Sequence, residues 1–218
     1  MNTNNYGTYG SETQSFGGFV PVWKYIDNMG IEEGGGKLKV VSSFATEYPV
    51  GTIIPVGSPV HLSAPGGDLT VLKTLEVLTT FDSSTATTVV FKGAGIALLP
   101  AVGEFFMAAP ATVGTSGTGF EVKTAVVDAS GNITMDISVG AAGAATAGDI
   151  FVQTTAAGAG KYIKLVPTGL LRREIYIGAG VTTATGASVF NGTILVDRIP
   201  PISASMKAAL PQIKFEQG

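Results

Sequence analysis

Short apolar runs recur along this chain between glycine- and proline-rich turns, and only one segment carries a helical period. Gly34–Gly36 precedes Leu38–Lys39–Val40, and Pro55–Val56–Gly57–Ser58–Pro59 precedes Val60–His61–Leu62. Ala64–Pro65–Gly66–Gly67–Asp68 then precedes Leu69–Thr70–Val71. Runs of three or four residues bounded this way are too short for helices and predict strands. The 25 threonines and 30 glycines press the same way. A branched Cβ suits a pleated surface, and glycine supplies the turns. Prolines inside the runs suggest edge strands or strand starts. Leu69–Leu78 fits both helical and alternating spacing, and its Val and Thr content makes it a strand here.

The clearest element is a hairpin over Phe120–Val139. Val122, Thr124 and Val126 alternate with Glu121, Lys123 and Ala125. The turn Asp128–Ala129–Ser130–Gly131–Asn132 follows, and Ile133, Met135 and Ile137 then alternate with Thr134, Asp136 and Ser138. Glu174–Ile177 and Gly192–Asp197 are expected to pair across a neutral Gly/Thr loop. A small-Gly-polar triplet leads into an apolar run three times, at Gly57, Gly103 and Gly148, which fits either repeated β-modules or common turn chemistry. The helical segment follows Pro200–Pro201. Ser203 can cap it, Ile202, Met206, Ala209 and Ile213 lie near one face, and Pro211 limits it to about two turns. Lys214–Gly218 is then a tail. The expected fold is all-β: small β-barrel or sandwich modules with a short C-terminal helix and an extended N-terminal arm.

Charge narrows the function. Charged residues are 13% of the chain, about half the usual share, and the net charge is −3. Nucleic-acid binding needs a basic patch, yet no Lys/Arg cluster exceeds Arg172–Arg173. Gly95–Val113, the most apolar stretch, is broken by Pro100, Gly103, Glu104 and Pro110, so it fails as a membrane helix and the chain is expected to be soluble. Phe105–Phe120, Ile137–Gly148, Ile150–Gly160 and Ile175–Val196 hold no formal charge. A free monomer keeps a mixed, charged surface, so such segments suit faces covered by neighbouring subunits, unless they are simply buried strands and small-residue loops. Residues 1–18 are Asn/Thr/Gly/Ser-rich with Tyr6, Tyr9 and Phe16 interspersed, and cannot bury enough apolar area to order alone. Phe19–Val20–Pro21–Val22–Trp23 follows, with the sole tryptophan. It reads as a docking segment or as a piece of the chain's own core. The candidate partner-binding residues are Phe19, Val20, Pro21, Trp23 and Tyr25 here, with Ile202, Met206, Ile213 and Phe215 at the other end.

Catalytic chemistry is poorly supplied. His61 is the only histidine, there is no cysteine, and no Gly-x-Ser-x-Gly elbow occurs. Zinc binding would need mostly carboxylates, and no calcium-loop pattern is present. Glu104, Glu121, Asp136 and Asp149 are embedded in apolar β-surroundings; as spatially paired carboxylates they could hydrolyse a polysaccharide, and more simply they face solvent. Thr155–Tyr162 resembles a phosphate loop but lacks its first glycine and its Ser/Thr. It reads as a turn, as do Gly93–Gly95 and Gly178–Gly180. The expectation is a non-enzymatic protein with no cofactor and no metal. Phe105, Phe106, Tyr162 and Tyr176 could serve as sugar-stacking platforms if the chain is an adhesin.

From about Val50 to Phe215 the order of several weak motifs resembles accessory head proteins of tailed phages, especially those of gut Bacteroides-type hosts. These motifs are Pro55–Val60, Thr87–Gly93, Ala101–Met107, Val126–Asp128, Gly148–Val152 and Val196–Ile202. The resemblance implies a head-fibre or capsid-decoration subunit that binds the major capsid protein of an assembled shell. It further implies a homo-oligomer (dimer or trimer), located on the virion and assembled in the host cytoplasm, with no catalytic residues; a host surface glycan is the possible ligand of the alternative, adhesin reading. Under it the chain holds a β base (37–79 plus 160–218) and an inserted small β module (80–155), while the arm and docking segment (1–30) fall outside the resemblance.

Overall fold

The computed structural model describes residues 22–24, 29–31, 35–39, 48–82, 85–93, 97–138, 144–181 and 183–218. Phe19, Val20, Pro21 and Tyr25, and nearly all of the arm, lie outside them. The fold is all-β, with a short C-terminal helix.

One seven-stranded sheet is organised around β19 (Ser188–Leu195). Beyond it lie β16 (Gly169–Leu171), β5 (Pro59–Leu62) and β6 (Leu69–Val71) in that order. β1 (Trp23–Lys24) and β2 (Gly30–Ile31) also pair with β19, and β20 (Ile213–Glu216) joins it in parallel. Ile194 therefore lies between Trp23 and Phe215, while Val189 lies between Ile31 and Leu170. β19 is the longest strand of this sheet, and four partners fill its two edges. Residues 213–216 are thus a strand, where Ile213 was expected on the helix face and 214–218 as a tail. Tails of this composition order when a paired neighbour takes up their backbone groups.

The second sheet runs β7 (Thr74–Glu76), β14 (Ile150–Gln153), β10 (Phe105–Ala108), β11 (Gly117–Val127), β12 (Ile133–Ile137), β9 (Thr88–Phe91), with every pair antiparallel. It curls until its edges meet. Val77 bridges Phe91, and backbone bonds run from Leu78 N–H to Val90 O (3.0 Å) and from Lys92 N–H to Glu76 O (2.8 Å). β15 (Gly158–Lys161) adds to the N-terminal part of β11. The barrel interior is filled by Leu75, Val77, Val89, Phe91, Phe106, Phe120, Val122, Ile133, Met135 and Phe151. Neighbouring phenylalanine rings stand 5.6–6.4 Å apart from Phe106 through Phe120 and Phe151 to Phe91. Burying each such ring is worth about 1.5–3 kcal/mol, and this is the main force holding the barrel together.

Three two-stranded ribbons complete the described strands: β3 (Gly36–Lys39) with β18 (Thr183–Gly186), β4 (Ile53–Ile54) with β17 (Ile175–Tyr176), and β8 (Phe81–Asp82) with β13 (Ala144–Ala145). Glu174–Ile177 therefore contributes to a ribbon with β4, and does not pair with Gly192–Asp197 as expected. The Gly/Thr stretch between them is itself strand β18. The paired glycines Gly36 and Gly186 let the first ribbon lie flat on the base: a Cβ on Gly36 would come within 2.5 Å of Leu62, and one on Gly186 within 2.8 Å of Leu69.

Leu69–Leu78 is strand, as read, but it splits. β6 belongs to the base and β7 to the barrel, with Leu72–Lys73 crossing between them. Ser203 caps α1 (Ala204–Ala208), its Oγ accepting from Met206 N–H at 3.2 Å. Gly57, Gly103 and Gly148 all take positive φ (76°, 86° and 95°) just before β5, β10 and β14. The recurring triplet is thus a shared turn, serving one base strand and two barrel strands.

Candidate functional site

The described members of the expected partner set do converge. Trp23, Ile202, Met206 and Ile213 belong to one buried cluster with Leu170, Val189, Ile194 and Ile199, and Phe215 packs on its margin. Trp23 is 8% exposed and its indole N–H donates to Arg172 O at 3.2 Å. Met206 is 1% exposed. The chain's own β1, β19, β20 and α1 cover these side chains, which is the core alternative weighed for Trp23. Met107 and Val152, on the outer face of the barrel, join the same cluster, so it also seats the barrel on the base.

The four singled-out carboxylates separate into different settings. Asp149 accepts from Thr146 N–H and Oγ1 within its own turn (2.7 and 2.9 Å). Glu121 pairs with Lys123 at 2.7 Å on the barrel surface. Asp136 lies across the outside of three strands, accepting from Thr88 and Thr124 hydroxyls at 2.8 Å each. Those bonds, Thr124 first and Thr88 second, hold its carboxyl below the usual range. Glu104 is the exception to the solvent-facing expectation. Among the described residues no group of three or more His, Cys, Asp or Glu side chains could hold a metal. His61 lies in β5 with Nδ1 2.7 Å from Val166 O, the strand role expected for it.

Glu104 belongs to a polar group that the sequence reading missed. Gln153 sits opposite Phe106 in the register, so both side chains point into the barrel, and Glu104, two residues before Phe106, shares that face. Lys73, two residues before the core residue Leu75, completes the set. Its side chain is 0% exposed and its Nζ lies 2.9 Å from Glu104 Oε2. Nζ also donates to Leu99 O at 3.2 Å and stands 5.0 Å above the ring of Tyr48. Glu104 Oε2 accepts from Ala101 N–H at 2.7 Å, and Glu104 Oε1 from Gln153 Nε2 at 2.9 Å. Gln153 Oε1 accepts from the Lys73 backbone N–H at 3.1 Å. The group closes the end of the barrel at the crossover to the base. In sequence, Lys73 is one lysine in an ambiguous apolar run. Only the pairing of β7, β10 and β14 reveals its neighbours.

The surface holds a second feature. Two of the charge-free stretches meet on the barrel where β15 pairs with β11 (Gly119 with Gly158). Ala108, Ala111, Thr112, Gly114, Thr115 and Ser116 on one side, and Thr155, Ala157, Gly158, Ala159 and Gly160 on the other, are exposed. Residues 109–116 and 155–157 are small-residue loops, the alternative weighed for these stretches, and they are largely exposed. Of Thr155–Tyr162, read as a turn, residues 155–157 bend and Gly158–Lys161 is strand, whereas Gly178–Gly180 does turn, with Gly180 at φ 75°. Of the aromatics considered for sugar stacking, Phe106 is fully buried in the barrel core, Phe105 is half-buried, and Tyr162 and Tyr176 are 53% and 62% exposed. Comparison with protein-family models, curated proteins and solved structures finds nothing that matches this chain.

Proposed function

We propose that this protein is a non-enzymatic structural subunit of a tailed-phage head, a decoration or head-fibre protein that binds the major capsid protein of the assembled shell. The observation that carries the reading is the exposed, charge-free Ala/Gly/Thr surface on the barrel, built from 108–118 and 155–160. A face without formal charge has little to hold water against a neighbour, and it meets no like-charge repulsion when subunits repeat around a symmetry axis. The resemblance of the ordered motifs from Pro55 to Ile202 supplies the kind of neighbour. The reading implies a homo-oligomer on the virion surface, with no cofactor and no nucleic-acid contact. Mass spectrometry of purified particles and co-sedimentation of the pure protein with empty shells test it. Recovery in both is expected, and absence from both rejects it.

The exposed rings of Tyr162 and Tyr176 favour a second reading, a carbohydrate-binding adhesin. A glycan array distinguishes the two: signal lost in Tyr162→Ala or Tyr176→Ala supports the adhesin, and a blank array removes it.

A further inference from the structure

The polar group at the barrel end contains the parts of an amide-transfer centre, and nothing in the proposed structural role uses them. An ordinary buried ion pair needs only an amine and a carboxylate. Here the same carboxylate bridges two nitrogens, with Lys73 Nζ 2.9 Å from Oε2 and Gln153 Nε2 2.9 Å from Oε1. The carboxamide oxygen is itself held by the Lys73 backbone N–H at 3.1 Å. Lys73 and Gln153 are 1% and 3% exposed, with the Tyr48 ring over Nζ and Phe106 opposite Gln153 in the register. Replacing a buried ion pair by well-packed apolar residues is often neutral or stabilising.

We propose that Lys73 and Gln153 become joined by an amide bond between Nζ and Cδ, with Glu104 carrying the protons. The Lys73 ammonium gives a proton to Glu104, and the freed amine attacks Gln153 Cδ. Charge gathers on Oε1, where the Lys73 backbone N–H already donates. Glu104 passes its proton to Nε2, the Cδ–Nε2 bond breaks, and ammonia leaves. The surplus Nζ proton returns through Glu104 and departs with the ammonia as ammonium. One ammonium and one carboxamide become one secondary amide and one ammonium ion, so no oxidant, reductant or other reactant is required. Glu104 holds both nitrogens against one carboxylate in a largely buried setting, which replaces the encounter and part of the desolvation that make this reaction slow in water.

Intact-mass measurement of the purified full chain, followed by tandem mass spectrometry of its digest, tests the proposal. A mass lower by one ammonia is expected, together with a branched peptide joining the segments that contain Lys73 and Gln153. Recovery of those two segments as separate, unmodified peptides overturns it, as does an ammonia loss that maps to any other residue. Glu104→Gln keeps the shape and removes the proton carrier. Its peptides are expected unlinked, and a linked peptide from that variant overturns the role given to Glu104.

Discussion

At the scale of single residues, the charges that matter are those whose partners are fixed. Glu216 on β20 accepts from Lys214 and from Lys24 across the sheet on β1, each at 2.7 Å. These two lysines, Lys214 foremost, lower its carboxyl from 4.5 to about 2. A depressed carboxyl stabilises the fold at pH above its unfolded value and stops doing so as pH falls through its folded value. The contribution of Glu216 is therefore present above about 4.5 and fades towards about 2. NMR titration of its side-chain carboxyl is expected to show the low midpoint, and Lys214→Gln should move it upward. Glu104 behaves differently, because its partner Lys73 has no access to water. Glu104→Ala removes the carboxylate that balances the Lys73 charge and, on the proposal above, the joining step as well, so it should cost at least about 3–5 kcal/mol in denaturant unfolding. The sequence marked Glu104 as an acidic residue in apolar surroundings. It could not mark Lys73 or Gln153, whose approach to it depends on strands distant in the chain.

Elements were legible where the pattern is local. The alternation of Ile133, Met135 and Ile137 survives intact as the buried face of β12. On β11 the same reasoning fails halfway. The register shifts between Val122 and Thr124, so Val122 is buried but Val126 is 56% exposed, and Ala125 packs on the core instead. A β-bulge adds one residue to one strand and reverses every later side chain, and nothing in an alternating run announces it. The expected partnership of 174–177 with 192–197 failed for a related reason, since adjacency in sequence decided the guess and the sheet chose β4 and β20. Close approach between strands also sets limits that the sequence leaves unstated. A Cβ on Gly119 would lie 2.4 Å from Ala156 O, a backbone atom that cannot turn aside. Gly119→Ala is expected to lower stability by about 1–3 kcal/mol, measured by chemical denaturation, and to weaken amide-exchange protection along β15. Phe120→Ala should cost more, about 3–5 kcal/mol, because it opens a cavity in the middle of the ring cluster.

For the whole molecule, the all-β class and the C-terminal helix followed from turn spacing and one cap, while the curling of the second sheet did not, because closure is a property of strands meeting at distant edges. The barrel and the base share the cluster that holds Met107, Val152 and Trp23. One cooperative transition is therefore expected: the fluorescence of Trp23, the only tryptophan, should report the same midpoint as far-ultraviolet circular dichroism, and two separated midpoints would show the bodies to be independent. The arrangement around β19 also dictates a history. Its partners come from both sides of the barrel in sequence, β1 and β2 before it and β16 and β20 after it, whereas every strand of the barrel falls within one continuous stretch. During synthesis the barrel can close before β19 has been made, but Trp23 has no strand to pair with until Ser188–Leu195 emerges.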